Sequence, residues 1–426
     1  MKMTRLLAPF SALIAALALT ACGGGGGSSG TAANSSSTTA SPSTPASTPT
    51  PALASNQQLV IVTQNSFNNA PNVPMTSVTI CVPNTTNCQT INNVLVDTGS
   101  SGLRLQASVL NSTFAALAPA TATGGGSLAE CAEFGSGYTW GSVRMLDVKL
   151  ASETASNIPV QIAGDSVGPV PTSNCSGSQA MDTPSIMGAN GILGIGTQAE
   201  DCSGCTSSTT GTPSYYSCTS SSTACTPVLT PTSSLVVNPV AHFATDNNGV
   251  ALQLPAVATT APAIFGTLTF GIGTQSNNQL GSAQIFTTQA GTHYFSSNLN
   301  GNSTPFTIID SGTNNYFLPN TGLPVCASTS WLCPTVPWVI AGTLQGVSGT
   351  NASVSFDIVS EQTLHATGNW VQNSLGADST PSTPLTATFG TGQLADLGLP
   401  FFFGRTVYTA IQGHSTPGGT GPYVAF

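Results

Sequence analysis

Two short segments constrain this chain more than anything else in it. Asn93-Val94-Leu95-Val96-Asp97-Thr98-Gly99-Ser100 and Phe306-Thr307-Ile308-Ile309-Asp310-Ser311-Gly312-Thr313 share one pattern. Each is an apolar run ending in an aspartate, followed by a hydroxyl residue, a glycine and a second hydroxyl residue. The aspartates stand 213 residues apart. One such tetrapeptide is common in turns. Two of them, each after an apolar strand, predict a duplicated unit that brings two carboxylates together. Adjacent carboxylates cannot both ionise, so they share one proton. One can then act as general base on a water while the other polarises a carbonyl. Gly99 and Gly312 let the backbone turn tightly. Thr98, Ser100, Ser311 and Thr313 supply hydroxyls to hydrogen-bond the carboxylates and brace the loops.

The rest of the body reads as strand. Val250–Leu254, Thr267–Phe270 and Val354–Ile358 alternate apolar and polar residues between Gly, Pro and Asn, the signal of half-buried strands. Helical periodicity is scarce. The chain has 426 residues, of which only 5% are charged and 40% hydrophobic. That hydrophobic share, in short alternating runs, argues for folded cores rather than disorder. The formal charge is −9. Beyond the first 21 residues the basic side chains are Arg104, Arg144, Lys149 and Arg405. No basic patch exists for nucleic acid. With so few ion pairs to break, the chain is expected to tolerate acid.

The body, residues 58–426, resembles the pepsin-like aspartic proteases. That family pairs each Asp loop with an apolar-apolar-Gly segment. Gly191-Ile192-Leu193-Gly194-Ile195-Gly196 matches in the first half and Phe402-Phe403-Gly404 in the second, followed by a strand from Arg405 to Ile411. Phe134-Gly135-Ser136-Gly137 resembles the flap hairpin that closes over substrate. The resemblance implies an all-β, bilobal fold with the active cleft between two lobes. It assigns 58–240 to the first, with a Cys-rich insert at about 200–230, and 241–426 to the second. It also implies an Asp97/Asp310 catalytic dyad, no cofactor or metal, a polypeptide substrate and a monomer. Asn238-Pro239-Val240-Ala241 and Asp246-Asn247-Asn248-Gly249-Val250 look like the interlobe segment of a bacterial family of pepsin-related exported proteins without an assigned function. Two positions depart from the protease pattern. Phe134 stands where the flap Tyr is usual, with Tyr138 and Trp140 as nearby substitutes. Arg104 stands where its Trp partner is usual. Three roles are open to Arg104: an ion pair with Glu130 or Glu133, an acidic substrate group, or an exposed strand face. Besides endopeptidase activity, a non-catalytic binding role on the same scaffold fits these departures, and the Ser/Thr/Asn-rich surface would also suit a structural or adhesive protein.

Residues 1–21 read as an export signal. Lys2 and Arg5 precede the apolar run from Leu6 to Leu19, which is too short to span a bilayer. Leu19-Thr20-Ala21-Cys22 resembles the bacterial lipobox, which implies cleavage before Cys22 and a lipid on its thiol. Residues 22–57 are rich in Gly, Ser, Thr and Pro and read as a flexible tether. The expected location is the cell envelope, at the outer membrane or its periplasmic face.

Of the eleven cysteines, those beyond Cys22 are even in number and suggest disulfides in an exported chain. Cys81 and Cys88 can close a short loop before Asp97, and Cys326 and Cys333 a similar one after Asp310. Cys131 and Cys175 remain as partners by elimination. Cys202, Cys205, Cys218 and Cys225 form a cluster whose pairing stays open. A zinc site is the rival reading there, because Cys202 and Cys205 have C-x-x-C spacing. The four histidines (His242, His293, His365 and His414) have no ligand-like spacing.

Overall fold

The apolar runs before Asp97 and Asp310 become strands with most of their side chains buried, and the rest of the fold is arranged around them. A computed structural model describes residues 52–171, 175, 179–210, 214–219, 224–327, 329–378 and 393–426. The expected export signal, Cys22 and most of the tether lie outside the described residues. The chain is mostly β, with two main sheets of fifteen and seven strands. No helix among the described residues is long and apolar enough to cross a membrane.

The strand Cys88–Asp97 runs parallel to Gly191–Ile195, in the register Val94↔Gly191 to Asp97↔Gly194. The strand that leaves the first Asp loop, Ser101–Gln106, pairs antiparallel with the other edge of Gly191–Ile195. The second half repeats this arrangement. Asn302–Ile309 runs parallel to Leu394–Leu397, in the register Phe306↔Leu394 to Ile309↔Leu397. Tyr316–Leu318, leaving the second Asp loop, pairs antiparallel with Leu394–Leu397. Val94, Val96, Leu193 and Leu397 are fully buried and Ile309 nearly so. Strands covered on both sides need nearly continuous apolar side chains, which is why these runs do not alternate; Leu95, half-buried, faces the cavity.

One expected segment is corrected here. Phe402-Phe403-Gly404 does not pass beside the second Asp loop. Leu399–Phe402 is a short 3-10 turn, Phe402 is a fully buried core residue, and Gly404 turns the chain at φ +77°. The segment beside Asp310 is Leu394-Ala395-Asp396-Leu397-Gly398, and the Asp310 N–H donates to Leu397 O at 3.2 Å. A β-carbon on Gly398 would lie 2.2 Å from Asn315 O and 2.4 Å from Thr313 O. No side chain fits there. The apolar pattern missed this segment because a charged residue type interrupts it.

The larger sheet takes strands from both sides of residue 240. Gln57–Val62 pairs along its whole length with Ile264–Phe270. Gly249–Gln253, covering the Val250–Leu254 alternation, joins Ile264–Phe270 to Thr406–Ala410. Asn238 accepts from Val240 N–H at 3.0 Å and donates to Gly196 O at 3.1 Å, holding the turn beside the first Asp loop. All ten cysteines beyond Cys22 are bonded. The pairs 81–88, 131–175 and 326–333 stand as expected. The open cluster resolves into 202–205 and 218–225. Sulfurs committed to disulfides offer no thiolate to zinc, so that reading is excluded.

Candidate active site

The two Asp loops meet and hold each other symmetrically. Thr98 N–H donates to Ser311 Oγ at 3.1 Å, and Ser311 N–H donates to Thr98 Oγ1 at 3.0 Å. The hydroxyls then cross over: Thr98 Oγ1 donates to Ile309 O at 3.3 Å and Ser311 Oγ to Val96 O at 2.7 Å. Thr98 and Ser311 are both buried, so these bonds carry no water competitor. Their geometry places the glycine of each loop against the carboxylate of the other. A β-carbon on Gly99 would lie 2.3 Å from the Asp310 carboxyl carbon, and one on Gly312 would lie 2.7 Å from Asp97 Oδ1. Glycine is required by this approach rather than by an unusual φ.

Each carboxylate is also held from its own loop. Asp97 Oδ1 accepts from the N–H groups of Gly99 and Ser100 at 2.8 and 3.2 Å, and Asp97 Oδ2 accepts from Ser100 Oγ at 2.5 Å. Asp310 Oδ1 accepts from Gly312 N–H at 2.6 Å. Here the symmetry breaks. Thr313 Oγ1 lies 3.0 Å from Asp310 Oδ2 and 2.6 Å from Asp396 Oδ2. A hydroxyl has one proton to give. If Thr313 donates to one carboxylate, the other must itself carry a proton and donate to Thr313. Both carboxyls are shifted accordingly. Burial and the neighbouring Asp97 push Asp310 well above the usual carboxylate range, and burial pushes Asp396 up to about 8 against the bond from Thr313.

Asp396 therefore loses stability for the fold as pH rises. Between about pH 4 and pH 8 the unfolded chain releases this proton and the folded chain keeps it, so stability falls across that window. Asp396→Asn, which keeps the shape and cannot ionise, is expected to remove part of that fall. Its melting temperature should match the parent near pH 4 and exceed it near pH 8. Parallel melting curves for the two proteins would reject the assignment.

A cavity of about 380 Å³ opens over the pair. Asp97, Asp310 and Asp396 line it, together with the apolar Met181, Ile186 and Phe317. The hairpin of Ser127–Phe134 and Gly137–Leu150 turns at Gly135 and Ser136, and Phe134, Gly135 and Ser136 line the same cavity. A second cavity of about 270 Å³ lies beside Gly99 and Ser100, lined also by Phe134, Glu133 and Arg104.

A model of the family described as "Protein of unknown function (DUF3443)" matches residues 52–426. The chain belongs to that family. No curated protein matches it. Among solved structures, the aspartic proteinase from Irpex lacteus is similar, at 18% identity and a TM-score of 0.48, over 87% of this chain and 96% of that one. At that identity and score the likeness bears on no individual residue here.

Within this family member, Arg104 is not exposed. Its side chain is 3% accessible and pairs with Glu130 at 2.5 Å and Asp201 at 3.1 Å, while Nη1 donates to Ser101 O at 2.9 Å. The partner is Glu130 rather than Glu133, and Asp201 completes the pair. Burial opposes the guanidinium charge, but the two acids hold its pKa above the ordinary value. Asp201 is pushed well above the usual carboxylate range by burial and by Glu130, against the pull of Arg104. Tyr215 Oη donates to Asp201 at 2.8 Å and accepts from Val236 N–H at 2.7 Å. The guanidinium also lies 5.5 Å from the Phe134 ring centroid. Arg104 thus ties the strand after the first Asp loop to the hairpin over the cavity.

Neither substitute for a flap hydroxyl reaches the cavities. Trp140 packs edge-on against Tyr216 and donates to Gly168 O at 3.0 Å. Tyr138 packs against the same buried cluster. Sequence reasoning missed Asp396, Asp201 and His293. His293 Nδ1 sits 3.0 Å from Thr197 Oγ1, and the side chain lines the cavity beside Gly99 and Ser100. Burial lowers its pKa to about 4 against the pull of Asp97. Its place beside the first Asp loop follows from the fold, in which Gly196 N–H donates to Ser100 O at 2.7 Å.

Proposed function

We propose that the chain is an aspartic endopeptidase on a pepsin-like, two-lobed fold, with Asp97 and Asp310 as its catalytic pair. The observation that carries this reading is the mutual approach of the two loops, in which each glycine touches the opposite carboxylate and Thr98 and Ser311 exchange hydrogen bonds. Asp310, with its raised pKa, holds the shared proton. Asp97 takes a proton from a water lying between the two, and that water attacks the scissile carbonyl. Asp310 gives its proton to the carbonyl oxygen as the tetrahedral species forms. The cavity under Phe134, Gly135 and Ser136 accommodates an extended polypeptide and keeps bulk water from the reaction. Cleavage of an unfolded protein between pH 3 and pH 7, blocked by a pepstatin-type inhibitor, is the test. Inertness across that range would reject it.

A second reading, a binding protein on the same scaffold, is favoured by one observation: Phe134 places no hydroxyl over the pair, and Tyr138 and Trp140 are packed elsewhere. The same assay separates the two.

The chain also carries its own anchor in this reading. Export through residues 1–21 and acylation of Cys22 would hold the enzyme at the cell envelope through the Gly/Ser/Thr/Pro tether. Cys22→Ser is expected to move the protein from the membrane fraction to the soluble fraction of fractionated cells. Equal membrane retention of both forms would rule out the lipid.

A further inference from the structure

The seven-stranded sheet carries a second cavity-forming site whose lining residues differ from those of the aspartate cleft. Its volume is about 240 Å³. Three pieces of chain enclose it: the turn after Phe295–Leu299, the turn after Tyr316–Leu318, and the start of Trp338–Gln345. Trp338 lines it and remains 45% exposed. It is the only Trp, Tyr or Phe among the described residues with that degree of exposure. An indole left open to water at a cavity wall costs hydrophobic stabilisation unless something stacks on it.

The polar wall is rigid and uncharged. Asn300 donates to Val339 O at 3.1 Å and accepts from Ala341 N–H at 2.8 Å, pinning the residues that follow Trp338. Asn302 donates to Asn320 O at 3.2 Å and joins the two turns. These bonds leave the Asn302 side-chain carbonyl, the Asn320 side-chain amide and the Thr321 hydroxyl proton for a ligand. No charged side chain lines the cavity, so a charged ligand would be desolvated without compensation. A peptide adding itself as a strand is also disfavoured at this point. Trp338–Gln345 is paired along its whole length with Asn351–Ile358. On its other side Phe295–Leu299 pairs with Gly342–Gln345, and at the cavity end Asn300 already engages Val339 O, Ala341 N–H and Ala341 O, so few backbone groups are left for an added strand.

We propose that this cavity binds a neutral hexopyranose unit of an oligosaccharide. A pyranose has an apolar C–H face to lie on the Trp338 indole, and equatorial hydroxyls to exchange hydrogen bonds with the Asn302, Asn320 and Thr321 groups. The volume lies just below the roughly 300 Å³ at which sites for drug-sized ligands begin, so it holds a ring or two rather than a long chain.

Tryptophan fluorescence of the full chain, titrated with the tetrasaccharides of β-1,4-linked glucose, β-1,4-linked N-acetylglucosamine and α-1,4-linked glucose, tests the site. At least one is expected to shift the emission and saturate at millimolar concentration. Trp338→Ala should weaken that binding about tenfold or more, a loss in line with removing one stacked ring. Binding is read for the variants by saturation-transfer NMR, which does not depend on Trp338 emission. Asn320→Ala should weaken it as well, whereas Asp97→Asn should leave it unchanged. Absence of binding by all three sugars overturns the proposal. So does binding that survives Trp338→Ala in a protein of unaltered melting temperature, or a site that takes unstructured peptides and none of the sugars.

Discussion

Asp97→Asn and Asp310→Asn are each expected to lower the cleavage of an unfolded protein by roughly 10³-fold, the scale of removing one general acid or base, with the fold intact. Asn keeps the shape of Asp, so Thr98 and Ser311 continue to brace the loops, and circular dichroism should not change. The pH profile carries more information than the rate alone. In the protease reading, activity would need one proton on the pair, and burial and Asp97 push Asp310, which would hold it, well above the usual carboxylate range. Activity would then fall as pH rises through that folded value, when both carboxylates ionise, and fall again at low pH, when both are protonated. The two limbs belong to the pair rather than to either residue. Asp396 sits on the same hydroxyl as Asp310, so Asp396→Asn should also move the upper limb. A parent protein no more active than the two Asn variants would end the protease reading.

The second large effect is on stability. Arg104→Met is expected to cost about 3–5 kcal/mol in urea denaturation at pH 7, the scale of breaking a buried ion pair from one side. Its removal leaves Glu130, fully buried, and Asp201 facing each other without a cation. Asp201 is already held above the carboxylate range with Arg104 present, and losing Arg104 would push it further. The penalty is thus largest above the raised pKa of Asp201 and shrinks as pH falls through it and Asp201 is protonated. Denaturation at pH 4 should show the smaller loss. Arg104→Met combined with Glu130→Gln and Asp201→Asn should recover much of it, because an apolar and amide cluster has no charge to compensate. A single Arg104→Met variant as stable as the parent at pH 7 would mean the network contributes nothing. Because Arg104 also contacts Phe134 and Ser101, the variant should loosen the hairpin over the cavity.

Much of this molecule was legible from local pattern. The two Asp loops, the threading segment Gly191–Gly196 and the disulfides 81–88 and 326–333 needed only short-range rules: an apolar run makes a buried strand, a glycine permits close approach, and a seven-residue cysteine spacing closes a loop. Phe402-Phe403-Gly404 shows where such rules fail. Its match to an apolar-apolar-Gly pattern was literal, yet the chain used Asp396-Leu397-Gly398, because what the position demands is a strand in register with Phe306–Ile309 and a residue without a β-carbon against Asn315 and Thr313. The acid in that strand is tolerated because Thr313 meets it.

The sequence by itself determined the paired loops, the strand content and the reactive residue types, since these depend on neighbours along the chain. Tertiary structure alone decided that Asp396 shares a hydroxyl with Asp310, that Arg104 joins Glu130 to Asp201, and that His293 lies beside Ser100. The hydrogen bonds that make them join residues 26 to 97 positions apart. Their energy comes from removing charged and polar groups from water into a shared site. No spacing or periodicity along the chain records which distant groups will be enclosed together.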